Sequence, residues 1–332
     1  MTESPTLQQL YDTHAGKVSD KWSIYINEYD RIFSEYRYQN ISLLEIGIQN
    51  GGSLEIWRKY FQNARAIFGC EINEECNVLK YDDDRINLII GNANSEDTER
   101  KIFEKIDSFD LIIDDGSHHS GDIVQSFARY FGHLADGGIY VAEDLHCSYW
   151  ADFNGGIFNR HSAIAFFKLL ADIVNFEHWN TQKSRTELLA EFCDIYCCSI
   201  DDGMLEHIHS IEFVNSLCII RKALPAENIL GPRIISGEVA DVWPGALDLR
   251  SSKNEATKRP APNLMSIFSD ELQKLLFEIQ NLESSSVVGD FNKSNDNDQK
   301  TMPSQENLKL KSLSQKAEQM LCQLRRFDVD GT

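Results

Sequence analysis

The chain has 332 residues, room for one large domain with appendages or for two domains. Its hydrophobic share of 42% is that of an ordinary globular protein, and no stretch approaches the roughly 20 apolar residues that a bilayer span needs. Against 32 basic residues stand 52 acidic ones, a formal net charge of −20; with no Lys/Arg cluster, this points away from nucleic acid and anionic membrane surfaces as partners.

The opening "MTESPTLQQLYDTH" has neither a basic start nor an apolar core, so no secretory signal is predicted. Eight scattered cysteines, none in a CxxC pair, read as reduced thiols of a cytoplasmic protein. The stretch "DKWSIYINEYDRIFSEYRY" predicts that residues 1–40 form a helical N-terminal cover. From Ile41, short aliphatic runs alternate with amphipathic ones. "SLLEIG", "ARAIFGCEI", "INLIIGNA", "FDLIIDD" and "GGIYVAED" read as strands. "SLEIWRKYF", "SEDTERKIFEKI" and "GDIVQSFARYFGHL" read as the helices between them. Strands that alternate with helices, and are continuously aliphatic, predict an α/β fold: a Rossmann-like, doubly wound, mostly parallel sheet.

After Trp150, "SAIAFFKLLADIVN" predicts another helix. "HIHSIEFV" and "LCIIRKA", separated only by Asn215 and Ser216, predict an antiparallel hairpin closing the sheet edge. The sheet domain is thus expected over 41–224 and an extension over 225–332. In that extension a linker, "SSKNEATKRPAPN", and a disordered polar segment from Ser284 are expected. Leu272, Leu275, Ile279 and Leu282, and then Leu310, Leu313, Ala317, Met320 and Leu324, keep a heptad-like spacing over about two heptads each. That is too short for a coiled coil and predicts short surface helices.

In an open parallel sheet, ligands bind beyond the carboxyl ends of the strands. The first strand ends in "EIGIQNGGS", whose Gly47 and Gly51 allow a tight turn into the next helix. The second ends at Glu71, spaced about 20 residues on, as for an acid that accepts hydrogen bonds from both ribose hydroxyls of an adenosine-containing ligand. The fourth ends Asp114-Asp115-Gly116-Ser117-His118-His119 and the fifth Glu143-Asp144. Carboxylates gathered at adjacent strand tips repel unless a cation sits among them, and oxygen ligands with open positions favour Mg²⁺ or Ca²⁺. Zinc on the two adjacent histidines is the weaker alternative, since sequence neighbours rarely point at one metal.

These motifs, "LLEIGIQNGGSLEIW", "GCEI", "IIDDGSHH" and "GGIYVAEDLHCSYW", resemble the class I S-adenosylmethionine-dependent O-methyltransferases that act on sugars of macrolides and related natural products. That group includes the macrocin, mycinamicin and rhamnosyl enzymes and is related to proteins called cephalosporin hydroxylases. The resemblance runs from about Tyr11 to Ala223. It implies that Glu45, Gly47, Gly51, Glu71 and Asp114 hold S-adenosyl-L-methionine. It further implies that Asp115, Glu143 and Asp144 hold Mg²⁺, that His118 is the general base, and that Tyr149 and Trp150 line the acceptor pocket. His119 has no implied role. The expected reaction is methylation of a hydroxyl on a sugar, glycosylated natural product or polysaccharide. Macrolide enzymes of the group carry an extra N-terminal region that helps assemble an oligomer. The N-terminus here does not match it, so homo-oligomerisation stays open, and the C-terminal third has no counterpart. Two rival readings are an iron-dependent hydroxylase, which normally uses two histidines and a carboxylate, and a non-catalytic scaffold on the same fold.

Overall fold

The computed structural model describes residues 4–179, 183–250 and the single positions 312, 313 and 316. Apart from Leu313, the two heptad-like runs, and the polar segment between them, lie outside the described residues. Two helices, α1 (Leu7–Asp12) and α2 (Ser23–Phe33), precede strand β1 (Ser42–Ile46). Then follow α3 (Gly52–Tyr60), β2 (Ala66–Glu71), β3 (Ile86–Ile90), α4 (Glu96–Phe103), β4 (Phe109–Asp114), α5 (Ser120–Tyr130) and β5 (Leu134–Ala142). The described chain continues with α6 (Ala163–Val174), α7 (Arg185–Tyr196), α8 (Asp202–Leu205), β6 (Ile208–Val214) and β7 (Leu217–Lys222).

The seven strands form one sheet in the order β3-β2-β1-β4-β5-β7-β6. The first five run parallel and the β6–β7 hairpin closes one edge antiparallel, as expected. Strand order reverses between β1 and β4, which opens a crevice at their carboxyl ends.

The pleat explains the aliphatic runs. Leu43, Leu111, Ile113, Ile139 and Val141 pack toward α1, α2 and α3 with Trp57, Tyr29 and Phe33. Their neighbours Leu44, Ile112, Tyr140 and Ala142 pack on the other face with Phe127, Phe166, Phe167 and Leu189. Alternate side chains on one strand face opposite layers, so a strand covered on both sides is apolar throughout. Each such burial contributes roughly 1.5–3 kcal/mol. The N-terminal cover is helical in two pieces, and the irregular link between them reaches the carboxyl ends of the strands. Helix α7 was not expected. It begins with a reciprocal cap between Ser184 and Glu187.

Candidate active site

The pleat also sorts the acidic residues. Ile46 pairs with Asp114, and Asp114 with Ala142. Residues one step away in either direction therefore face the α1–α3 layer together. Glu45 of β1, Asp115 just past β4 and Glu143 just past β5 meet there, their ligand oxygens within 4.8 Å of one another. Backbone bonds continue the ladder beyond the strands: Asp115 N–H donates to Ile46 O at 2.8 Å, and Glu143 N–H to Asp114 O at 2.9 Å.

A side chain that the sequence reading missed lies at the centre of this group. Lys21, from the link between α1 and α2, has a side chain only 2% exposed. Its Nζ lies 2.5 Å from Asp115 Oδ2, 2.7 Å from Glu143 Oε1 and 3.2 Å from Glu45 Oε1. Tyr29 OH also donates to Glu143 Oε1, while Ser53 Oγ (2.5 Å) and Trp57 Nε1 (3.2 Å) donate to Glu45 Oε2. Burial alone would lower the Lys21 pKa, but Asp115, Glu143 and Glu45 outweigh it and hold the ammonium charged. Burial pushes the carboxyl pKa values of Glu45, Asp115 and Glu143 upward. Counted as ionised, three carboxylates against one ammonium leave a deficit of positive charge, which is why burial favours their protonated forms. That deficit fits a divalent cation nearby.

Asp114 faces the other way. Its Oδ2 accepts from Tyr140 OH at 3.2 Å and its Oδ1 from Gly116 N–H at 3.3 Å. Burial raises its carboxyl to about 7. Asp144 closes the tip of β5 in a left-handed conformation (φ 54°). Its Oδ1 accepts from Tyr25 OH at 2.8 Å and Trp22 Nε1 at 3.1 Å, and its Oδ2 lies 3.5 Å from His118 Nε2. Asp115, His118 and Asp144 form a second group whose ligand atoms lie within 4.8 Å of one another. The predicted Mg²⁺ set of Asp115, Glu143 and Asp144 thus straddles two groups that share Asp115.

A cavity of about 670 Å³ lies at the carboxyl ends of β1, β2 and β4, within the 300–1,000 Å³ usual for small-ligand sites. Gly47, Glu71, Asp114, Asp115, His118 and Asp144 line it, with Lys21 at its edge. Gly47 has φ 83°, and a Cβ there would lie 2.0 Å from Asp115 O, so only glycine lets the first turn pass the β4 tip. Gly51 caps α3 with φ 77° beside Tyr81 OH. Glu71 is fixed by three backbone donors: Ile48 N–H (3.1 Å) and Gln49 N–H (2.9 Å) to Oε2, Asn73 N–H (3.0 Å) to Oε1. Gln49 (φ 48°) and His118 (φ 61°) join Asp144 as left-handed non-glycine residues at this cavity. Each such conformation costs about 1–3 kcal/mol, and such residues concentrate at functional sites.

Of the sequence-predicted residues, Gly47, Glu71, Asp114, Asp115, His118 and Asp144 meet in one cavity. Glu45 and Glu143 do not line it; they are buried behind Lys21, which does. Tyr149 and Trp150 sit beyond β5, 45% and 51% exposed; Trp150 stacks edge-on with His146 at 4.8 Å. His119 turns to Asn154 Oδ1 at 3.0 Å.

No family model matches the chain. It is 30% identical over 177 residues to 8-demethyl-8-alpha-L-rhamnosyl tetracenomycin-C 2'-O-methyltransferase of Streptomyces olivaceus, covering 50% of this chain and 46% of that protein. It is 38% identical over 134 residues to mycinamicin VI 2''-O-methyltransferase of Micromonospora griseorubida, covering 38% and 33%. Among solved structures, the MycE methyltransferase from the mycinamycin biosynthetic pathway, in complex with Mg, SAH and mycinamycin VI, superposes with a TM-score of 0.55 at 25% identity. That match covers 69% of this chain and 58% of that one. The chain is a relative of these sugar O-methyltransferases. Its sheet is the class I methyltransferase fold. It spans less than half the length of the curated relatives it matches. No helix among the described residues is long and apolar enough to cross a membrane.

Proposed function

We propose that this chain is a Mg²⁺-dependent O-methyltransferase that uses S-adenosyl-L-methionine to methylate a hydroxyl of a sugar, a glycosylated small molecule or a polysaccharide in the cytoplasm. The observation that carries this reading is a single cavity with the glycine turn and Glu71 on one side and Asp115, His118 and Asp144 on the other. Nucleic acid and membrane are not partners in this reading.

Gly47, Gly51 and Glu71 would hold the nucleoside end of the methyl donor. Glu71 Oε1, which accepts only Asn73 N–H, has a second lone pair free for a ribose hydroxyl. Asp114, on the inner wall, suits the ammonium of the methionine end. Asp115, Glu143 and Asp144 offer the hard oxygens that Mg²⁺ requires. When bound, such a cation lowers the pKa of a hydroxyl it contacts. His118 then takes the hydroxyl proton on its imidazole. Asp144, 3.5 Å away, orients that ring and stabilises the imidazolium that forms. S-adenosyl-L-methionine would supply the methyl group to an acceptor oxygen that these residues hold in line with it. Holding the two reactants in line supplies much of the acceleration. The aromatic rings of Tyr149 and Trp150 suit the acceptor's apolar faces.

The test is incubation with labelled S-adenosylmethionine, Mg²⁺ and a panel of glycosides. The expected result is label in a glycoside, lost on chelation of the metal and on His118→Ala. Turnover that persists after chelation, or in the His118 variant, overturns the mechanism. Iron- and oxygen-dependent turnover replaces it with the hydroxylase reading, and absence of donor binding with the scaffold reading.

A further inference from the structure

Two groups of potential metal ligands share Asp115, and they differ in character. The inner group, with Glu45 and Glu143, is buried: Glu45 is 0% and Glu143 1% exposed. Among the described residues, Glu45 Oε1 in it has no hydrogen bond and only the Lys21 ammonium within ion-pair distance. The outer group, with His118 and Asp144, is partly open to the cavity. An empty cage of these three carboxylates, Glu45 and Glu143 fully buried and Asp115 partly so, would be the stronger trap for a divalent cation. Held there, the cation would be away from His118 and closed to substrate, whereas a catalytic cation needs open positions.

Lys21 fills that cage. It engages one oxygen of Asp115 and one of Glu143, leaving the second oxygen of each for another cation. Its segment is held in place independently. Lys17 Nζ pairs with Glu55 Oε1 at 2.6 Å, Gly52 N–H donates to Val18 O at 3.1 Å, and Tyr11 OH lies 3.1 Å from Ser19 Oγ. Resting on the function proposed above, we propose that Lys21 is a positioning residue that occupies the Glu45–Asp115–Glu143 cage and thereby directs the divalent cation to the Asp115–Asp144 side, beside His118. It acts through the carboxylates it pairs with and touches no reacting atom.

The test is titration of the metal-free full chain with Mn²⁺, which takes the same oxygen ligands as Mg²⁺. Free Mn²⁺ is read from its EPR signal and the waters on bound Mn²⁺ from water-proton relaxation. The wild type is expected to bind Mn²⁺ with a strong relaxation enhancement. Lys21→Met is expected to bind about tenfold more tightly, because the cage is no longer occupied most of the time. Its relaxation enhancement falls, because the cation now sits in the closed cage. Lys21→Met/Glu45→Gln is expected to lose the gain. Unchanged or weaker binding by Lys21→Met overturns the proposal, as does tighter binding with unchanged relaxation, which would reflect lost repulsion alone. Should Lys21→Met fail to fold, Glu45→Gln in the wild-type background decides. The proposal expects it to change Mn²⁺ affinity far less than Asp115→Asn does, and an equal loss overturns it. Wild-type protein that binds no Mn²⁺ sinks both this inference and the metal half of the proposed function. Wild-type binding without the Lys21→Met effect sinks this inference alone.

Discussion

Lys21 and Lys222 are both buried lysines of this fold, at opposite ends of β5, and their surroundings differ. Lys21 lies among three carboxylates at the carboxyl ends of the parallel strands. Lys222 lies under the amino end of β5 and, among the described residues, donates to backbone carbonyls alone: Leu134 O at 2.6 Å, Gly132 O at 3.0 Å and Phe131 O at 3.4 Å. Burial lowers the Lys222 pKa, with only Asp136 opposing it, whereas the carboxylates raise that of Lys21. Neutral dipoles satisfy hydrogen bonds and fix a turn. Converging carboxylates create a field that another cation can use. One end of the sheet is built to hold itself together and the other to hold something else.

The sharpest way to break this contrast is Asp115→Asn, which removes the carboxylate common to both ligand groups. Methyl transfer is expected to fall about a thousandfold or more, since lost metal chemistry is worth several kcal/mol. Folding, followed by circular dichroism, should survive. A variant that unfolds instead would make the acidic end structural as well. His118→Ala is expected to lower kcat by about 10²–10⁴ with donor affinity intact, the range for loss of a general base. A larger effect on donor binding than on kcat would move His118 out of the proton-transfer role.

Much of this contrast was legible in the sequence. Five aliphatic runs gave the strand ends, and the acids at those ends followed. Asn215-Ser216 gave the hairpin, with Ser216 at φ 70°. Pleat parity carries further information. With β1, β4 and β5 adjacent, Glu45, Asp115 and Glu143 share one face and Asp114 takes the other. Helix α7 has a readable start in Ser184-Arg185-Thr186-Glu187, a capping box whose signal is blunted by the weak apolar pattern behind it. Lys21 had no local signal. It lies in an irregular link 94 residues from Asp115, and neither periodicity nor spacing reports a contact across that separation.

Asp114 sharpens the contrast through pH. With its carboxyl raised to about 7 by burial, it is protonated below that value and ionised above it. If it receives the donor's ammonium, calorimetry should show S-adenosylmethionine binding strengthening as pH rises through about 7, by about tenfold per unit at most. Asp114→Asn should flatten that rise. Stability moves the opposite way: a carboxyl raised in the folded state favours folding while protonated. That contribution fades as pH climbs from the ordinary aspartate range through about 7. A donor affinity that falls over the same window would remove Asp114 from the ammonium site.

The smallest expected effect tests the other end. Lys222→Met keeps the aliphatic stem but leaves the carbonyls of Gly132 and Leu134 without their donor. The expected loss is about 1–2 kcal/mol of stability, roughly 2–4 °C in Tm per kcal/mol, with methyl transfer unchanged below the melting range. Linkage adds a signature that packing loss alone would not produce. Because the folded state depresses the Lys222 pKa, the unfolded chain binds the proton more tightly. The contribution of Lys222 to stability therefore grows as pH rises toward the ordinary lysine value of 10.5. The gap in Tm between wild type and Lys222→Met should widen between neutral pH and that value. A gap that stays constant would mean that the three carbonyls, and not burial of the charge, set the energetics there.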